Sequence, residues 1–503
     1  MTSSQKMDVD RRALLTGAGG TAALLAIAGA TEASAEAGER TGTQVAEATS
    51  SAGIADTLKS LGAVNVRLFG ATGNGQRDDT RAFRRAFRAL DRTGGTIFVP
   101  PGTYRVGELE APAGTSWIGV PGKSVLKHNR RDYLLAVSKA SNVRFQDLIF
   151  DGNKRARLDA DALVLVRRGS KHVRFEGCTF QDSSTSCLAI ENSACAVTDC
   201  LVHRARWYGI IVNSRMDVRI TGNRIVDLDN KGVYVLRDQP QAVNTVIAEN
   251  VISRIRAREG GTGQYGNGVN VYNAHDVLVQ GNHITECQFS AFRSAGGNGC
   301  RVIGNHFEKC RETTVYVEFG ASRAVISSNH FIDCPDRAIS ITNFNDGGHL
   351  AICSSNIITR TGREAIFAEA DTIIQGNIID GAVNGIVVGD GEYARNVTVD
   401  GNLIQDTRKG SKRRLRYGIL VTANDYAGPV FVTNNRVFNA RYKTIYGHES
   451  RKPSPMGPNV LLSHNYPGVP SKDVPKRALG GSVNYEPDTG VQRTFEGKRW
   501  RGA

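Results

Sequence analysis

Val277-Leu-Val-Gln-Gly-Asn-His-Ile284, Arg301-Val-Ile-Gly-Asn-His-Phe307 and Val325-Ile-Ser-Ser-Asn-His-Phe331 repeat one pattern. Apolar residues alternate, a polar turn closes on Asn, and another apolar residue stands two places on. The Asn recurs at 223, 250, 282, 305, 329, 356, 377, 402, 435 and 465, with gaps of 27, 32, 23, 24, 27, 21, 25, 33 and 30 residues. Between the Asn marks sits a small residue followed by alternation, as in Gly209-Ile-Ile-Val212, Gly232-Val-Tyr-Val235, Gly268-Val-Asn-Val271, Ala338-Ile-Ser-Ile341, Gly385-Ile-Val-Val388 and Gly418-Ile-Leu-Val421. Period-two alternation of β-branched residues predicts strands. A short repeat of this length predicts a stacked array in which no unit buries its own apolar face. Three short strands with their turns fill about 22 to 25 residues, one rung of a parallel β-solenoid, and each longer gap is a rung carrying an inserted loop.

Working outward, residues 1–35 read as a signal peptide. Arg11-Arg12 precedes an apolar Ala/Leu/Gly run, and Ala33-Ser34-Ala35 forms a small-x-small cleavage site. The arginine pair resembles a twin-arginine signal, without the usual Phe two places later. Export through the twin-arginine machinery to the periplasm or medium is expected, with cleavage after Ala35 and no stable membrane anchor afterwards. Residues 36–60 are an Ala/Glu/Thr/Ser/Gly-rich linker, 61–125 an N-terminal cap with the first strands, 126–450 the repeats, and 451–503 a basic cap or tail. The net charge of +14 favours a polyanionic partner. Nucleic acid is disfavoured by export and by the absence of a binding module. The nine cysteines, an odd number, suit buried thiols rather than a disulfide framework.

The segment Phe69-Gly-Ala-Thr-Gly-Asn-Gly75, Asp78-Asp79-Thr80 and Gly94-Gly-Thr-Ile-Phe-Val-Pro-Pro-Gly-Thr-Tyr104 resembles the N-terminal block of the pectate-lyase-like superfamily of right-handed β-helix proteins. The layout of signal plus rungs is similar to a group of twin-arginine-exported repeat proteins of unassigned function. The resemblance implies an all-β, right-handed parallel β-helix of about a dozen rungs. The residues predict a capping helix over 80–91, with Ala82, Phe83, Ala86, Phe87 and Leu90 on its apolar face and Asp78 and Asp79 capping its start.

Stacking turns sequence columns into ladders about 4.8 Å apart. The Asn column is expected to satisfy buried backbone groups. The alternating charges Asp227, Arg254, Glu286, Lys309, Asp333 and Arg360 predict a surface ion ladder. His283, His306 and His330 stack, but their outer members stand about two rungs apart, too far for one metal whose ligands lie about 2 Å away. No metal site is therefore expected. No cofactor is evident; calcium stays open as a possible ion, unsupported by any clear acidic nest.

In the superfamily the substrate groove runs along the strands bearing the Gly-Ile-x-Val motif. The outward columns there predict substrate contacts from Tyr234, Asn270, Tyr272, Ser340 and Thr342, and chemistry from Arg293, Tyr316, Glu318 and Glu369. The inserted segments Arg256–Asn267 and Asn343–His349 overhang this face. Glu318 and Glu369, about 9 to 10 Å apart over two rungs, fit an inverting glycosidase. Arg293 and Tyr316 alternatively fit β-elimination or C5 epimerisation of a uronate. The expected partner is an acidic polysaccharide, acted on by a lyase or glycosidase or, alternatively, by a uronate epimerase. The rival is a non-catalytic envelope solenoid that binds polysaccharide or protein. The run Arg408–Arg416 carries six positive charges and is either a solvated loop or a hand-hold for acidic polymer.

Overall fold

The computed structural model describes residues 57–502, apart from 59, 91–93, 155–159, 259, 261–262, 343–349, 390–393, 411–413, 423–427, 450–451, 475–479 and 497–498. The signal, most of the linker and the overhanging segment 343–349 lie outside the described residues.

Three ladders carry the chain. The first sheet has 16 strands, from Ala63–Asn65 to Val460–Ser463, and the second has 15, from Asn74–Asp78 to Arg436–Val437. The third also has 15, of which only the last, Lys452–Ser454, runs antiparallel. One rung takes Leu278–Gln280 in the first sheet, turns at Asn282, continues as His283–Thr285 in the second and closes as Phe292–Ala295 in the third. The next rung pairs with it residue for residue, Val279 with Val302, Ile284 with Phe307 and Phe292 with Val315. The stack exceeds the dozen rungs expected, because three first-sheet strands fall in the segment read as a cap and one in the segment read as a tail.

The inward residues form the core. Val279, Ile284, Phe292, Phe307 and Phe331 are fully buried, and Phe145 stacks on Phe175 with ring centres 4.8 Å apart. The small residue before each third-sheet strand is set by rung spacing, since a Cβ on Gly232 would lie 2.4 Å from the carbonyl oxygen of Gly268.

The Asn column binds the turns together. Asn305 Oδ1 accepts from the backbone N–H of Asn282 at 2.9 Å, and Asn305 Nδ2 donates to Val279 O at 3.0 Å and to Asn329 Oδ1 at 3.0 Å. The same bonds recur from Asn223 to Asn465. The charge column forms pairs, bidentate between Arg254 and Asp227, and between Arg360 and Asp333. Lys309 instead turns to its neighbour Glu308 at 2.6 Å. All nine cysteines are free and buried.

Helix α1 (Thr80–Ala89) closes the N-terminal end, burying Ala82, Phe83 and Ala86. Phe83 lies 5.6 Å from Tyr104 and 6.2 Å from Trp117. Of the two aspartates expected to cap it, only Asp78 does so, accepting from Thr80 N–H at 2.9 Å. Asp79 is buried and turns back to accept from the N–H groups of Thr72 and Gly73 at 2.8 and 3.1 Å. It pins the Phe69–Gly75 loop to the helix. At the other end, Val483–Glu486, Val491–Glu496 and Arg499–Gly502 form an antiparallel sheet. It is tied to the last rung by Leu462 N–H donating to Ser482 Oγ at 3.3 Å. The segment read as a basic cap or tail therefore ends in a paired sheet.

Candidate functional site

Six successive third-sheet strands frame the candidate site: β1 (Lys231–Ala242), β2 (Asn267–His275), β3 (Phe292–Ala295), β4 (Val315–Glu318), β5 (Ile339–Ile341) and β6 (Glu364–Ala368). Their registers align the outward residues. Tyr234 pairs with Asn270, Asn270 with Arg293, Arg293 with Tyr316, Tyr316 with Ser340 and Ser340 with Phe367. In the second column Tyr272 pairs with Ala295 and Ala295 with Glu318.

A cavity of about 650 Å³ opens over β1 to β4. It collects five of the nine residues predicted from sequence, Tyr234, Asn270, Tyr272, Arg293 and Glu318. The other four stand outside its lining. Tyr316 lies against Arg293, its ring centre 5.0 Å from the guanidinium carbon. Ser340 and Thr342 are buried rather than open to ligand, and Ser340 Oγ finds no hydrogen-bond partner among the described residues. Glu369 is buried as well, two rungs beyond Glu318.

At the centre is a buried ion cluster. Arg293 is 9% exposed and Glu318 2%. Arg293 donates to Glu318 Oε1 from Nε at 2.6 Å and from Nη2 at 2.5 Å, and to Glu312 Oε2 from Nη1 at 3.1 Å. Burial raises the Glu318 carboxyl above the usual range, against the opposing charge of Arg293, and Glu312 is raised for the same reasons. Burial first, and then the neighbouring Glu318, raise the Tyr316 hydroxyl, so Tyr316 is a proton donor at neutral pH. A carboxyl raised toward neutrality beside a fixed proton donor is the pairing that proton-transfer chemistry requires. Arg293, read from sequence as the group that neutralises a sugar carboxylate, already has its charge matched inside the protein.

The walls are aromatic. Tyr272 is 46% exposed and Phe319, the residue after Glu318, 58%. Phe319 holds φ at 54°, a conformation that bulky residues rarely adopt and that turns its ring outward at the corner of the rung. Gly263 lies directly over Arg293, where a Cβ would fall 1.7 Å from Nη1. Gly263 and Gln264 line the cavity, and Tyr265 follows them in the same loop. At the β1 end Lys231, 4% exposed, places its ammonium 4.6, 4.4 and 4.9 Å from the ring centres of Tyr208, Tyr234 and Tyr265.

The alternating columns missed Glu312, Lys231, Tyr265 and Phe319. Each stands at a strand edge, a corner or a loop, where period-two spacing gives no orientation.

The basic run is less free than its composition suggests. Asp406 is fully buried and accepts from Arg408 Nε at 2.8 Å and from the backbone N–H groups of Arg414 and Leu415 at 2.5 and 3.1 Å. Burial works against this carboxylate, but the hydrogen bonds from Arg408 and the backbone win and hold it at about 2. Residues 411–413 of the run lie outside the described ones.

Residues 241–404 match the family described as the right-handed β-helix region, and residues 157–318 match that described as the periplasmic copper-binding protein NosD. Tailspike protein 3 of bacteriophage CBA120 aligns with a TM-score of 0.52 at 14% identity, over 90% of this chain and 70% of that one. The A-module of mannuronan C-5 epimerase AlgE6 from Azotobacter vinelandii aligns at 0.46 and 16% identity, over 80% and 98% of the two chains. The catalytic unit of a GH87 α-1,3-glucanase from Streptomyces thermodiastaticus aligns at 0.43 and 17%, over 80% and 68%. No curated protein matches the chain. Rungs, ladders and family matches together define a right-handed parallel β-helix protein.

Copper, named in the NosD description, has one matching donor set among the described residues. Ligand atoms of His283, His306 and Glu308 lie within 4.8 Å of one another, and copper(II) accepts imidazole and carboxylate. These three residues would hold such an ion. They stand on the second sheet, away from the third-sheet groove, where the His306 ring lies edge-on to His283 at 4.3 Å between centres and to His330 at 5.4 Å. No helix among the described residues is long and apolar enough to cross a membrane.

Proposed function

We propose that the third-sheet groove takes an acidic polysaccharide and that Glu318 and Tyr316 move protons on it. The buried Arg293–Glu318–Glu312 cluster carries this reading, because a structural ion pair has no need to open into a cavity walled by exposed aromatics. Tyr272 and Phe319 offer ring faces to sugars, and Asn270 supplies an amide at the floor. Glu318 accepts a proton from the sugar ring or from an attacking water, Tyr316 supplies one to the leaving oxygen, and Arg293 holds Glu318 in place. The pairing of Glu318 with Glu369 is less favoured, because Glu369 is buried two rungs beyond Glu318, whereas Tyr316 is half-buried and lies against Arg293.

The periplasmic family match and the expected signal support export. The rival is a non-catalytic envelope solenoid, favoured by one observation: Arg293 is saturated by protein carboxylates.

The test is incubation of the protein from Glu36 onward with pectic, alginate and glycosaminoglycan polymers, following reducing ends and the ultraviolet absorbance of unsaturated uronates. Both signals together mean a lyase, and new ends alone a hydrolase. Proton exchange at C5 without either means an epimerase. Glu318→Gln and Tyr316→Phe should abolish turnover while the circular dichroism spectrum stays native. Binding without turnover would replace the catalytic reading with the binding one.

A further inference from the structure

Lys231 is the cation of the cavity whose charge the described protein does not match. Its ammonium lies inside three tyrosine rings and makes a single hydrogen bond, to Asn230 Oδ1 at 3.3 Å. No carboxylate stands within ion-pair distance among the described residues, and burial alone acts on the amine, pushing it down to about 8. Arg293, the other cation lining the cavity, already holds two carboxylates. The contrast has a chemical consequence. With both glutamates ionised, the Arg293 cluster is net negative and repels an acidic sugar, whereas Lys231 presents unspent positive charge and two spare donors to the same cavity.

We propose that Lys231, in its cage of Tyr208, Tyr234 and Tyr265, is the subsite that receives the carboxylate of a uronate residue and so selects acidic over neutral polysaccharide. The cage suits this role. Cation–π contacts keep a nearly buried ammonium charged and fixed while no anion is bound. An arriving carboxylate then gains a charge-assisted bond in a site where water has already been displaced. The Tyr265 ring comes from the same loop that presses Gly263 onto Arg293, so one segment of chain links the carboxylate subsite to the proton-transfer cluster. Tyr272 and Asn270, which line the cavity between the two cations, would carry the intervening sugar surface.

This inference rests on the polysaccharide reading of the groove, and its test separates the two. Titration calorimetry would compare hexamers of galacturonate and of mixed mannuronate–guluronate with their carboxyl-reduced, neutral counterparts. For the unmodified protein at neutral pH, an acidic hexamer should bind about 10- to 100-fold more tightly than its neutral form, the range of one charge-assisted hydrogen bond. Lys231→Met should erase that preference while retaining the neutral hexamer, and Lys231→Arg should keep it.

The preference should also fall as pH rises through about 8, and binding there should take up a proton, read from the heat in buffers of different ionisation enthalpy. Among the groups facing Lys231, burial holds the Tyr208 and Tyr234 hydroxyls well above this range and Asn230 does not titrate; Glu318, in the same cavity, is a carboxyl raised by burial against the opposing charge of Arg293. Lys231→Arg should remove the pH dependence. Acidic and neutral hexamers bound with a preference that survives Lys231→Met would overturn the assignment of Lys231 but leave the groove standing. No binding of any hexamer would overturn both. The pH profile of the unmodified protein decides the matter even if the Met variant folds poorly, since a preference flat between neutral and alkaline pH contradicts the role.

Discussion

Replacing Arg293 by Met removes a guanidinium from between two carboxylates and keeps much of its volume. In the native protein it makes three short contacts, two to Glu318 and one to Glu312, with its side chain 11% exposed and that of Glu318 2%. Removing one partner of a buried pair typically costs about 3 to 5 kcal/mol, because the survivor is left charged and unsolvated. The survivor here can escape by binding a proton. Arg293 is the group that lowers Glu318 against the desolvation that raises it, so without it the folded-state carboxyl titrates higher still. A carboxyl raised above its unfolded value favours the fold while protonated, and that stability is lost as pH rises through the folded value.

The deficit of Arg293→Met relative to wild type should therefore grow with pH. Near pH 4 it should shrink to about 1 kcal/mol, the lost contact with Tyr316, and by about pH 8 it should reach about 3 to 5 kcal/mol. Urea unfolding at a series of pH values measures this difference. The double variant Arg293→Met/Glu318→Gln should lose most of the slope, leaving only the part due to Glu312. A deficit of constant size across the pH range would refute the reasoning, since it would mean that Glu318 does not depend on Arg293 for its charge.

Asn305→Ala strands the N–H of Asn282 and the carbonyl of Val279 inside the wall, and should cost about 2 to 6 kcal/mol. Arg360→Ala, which breaks an exposed pair with Asp333, should cost under about 1 kcal/mol. Similar unfolding midpoints for the two variants would contradict the scaffold role of the Asn column. Tyr272→Ala and Phe319→Ala should each weaken oligosaccharide binding by about 3- to 10-fold without changing stability, measured by calorimetry and thermal melting. All nine cysteines are buried, and burial raises the thiols of Cys187, Cys195 and Cys334 well above their ordinary range. A thiol-reactive chromophore should therefore label none in the native protein and all nine after denaturation; rapid native labelling would show that the wall opens.

The sequence disclosed most where spacing is rigid. A strand period of two and a rung-to-rung register leave one choice for which residues face outward, and the column Tyr234, Asn270, Arg293, Tyr316, Ser340, Phe367 pairs as the alternation requires. Facing outward is not the same as being open, however. Ser340, Thr342 and Glu369 lie in the outward columns and are nonetheless buried, because exposure depends on what neighbouring rungs and loops lay over the strand.

Other features were illegible for a related reason. Lys231 reaches the cavity from the first position of its strand, Glu312 meets Arg293 from the turn before Val315–Glu318, and Tyr265 meets Lys231 from the loop in which Gly263 lies against Arg293. Phe319 is turned outward by a positive φ that no alternation encodes. Asp78 and Asp79 were indistinguishable as caps until the Phe69–Gly75 loop, held by Asp79, had a position. The charge on Arg293 was visible in sequence; its neutralisation by Glu312 required the three-dimensional neighbourhood.

The central claim is that an acidic polysaccharide lies in the third-sheet groove over Arg293 and Glu318. A crystal structure with a bound uronate hexamer tests it most directly. The account predicts sugar rings against Tyr272 and Phe319, with one carboxylate at Lys231 and a glycosidic oxygen or C5 within hydrogen-bonding reach of Glu318 or Tyr316. A hexamer seated instead along the basic run near Arg408, or on the histidine face of the second sheet, with the third-sheet groove empty, would contradict it.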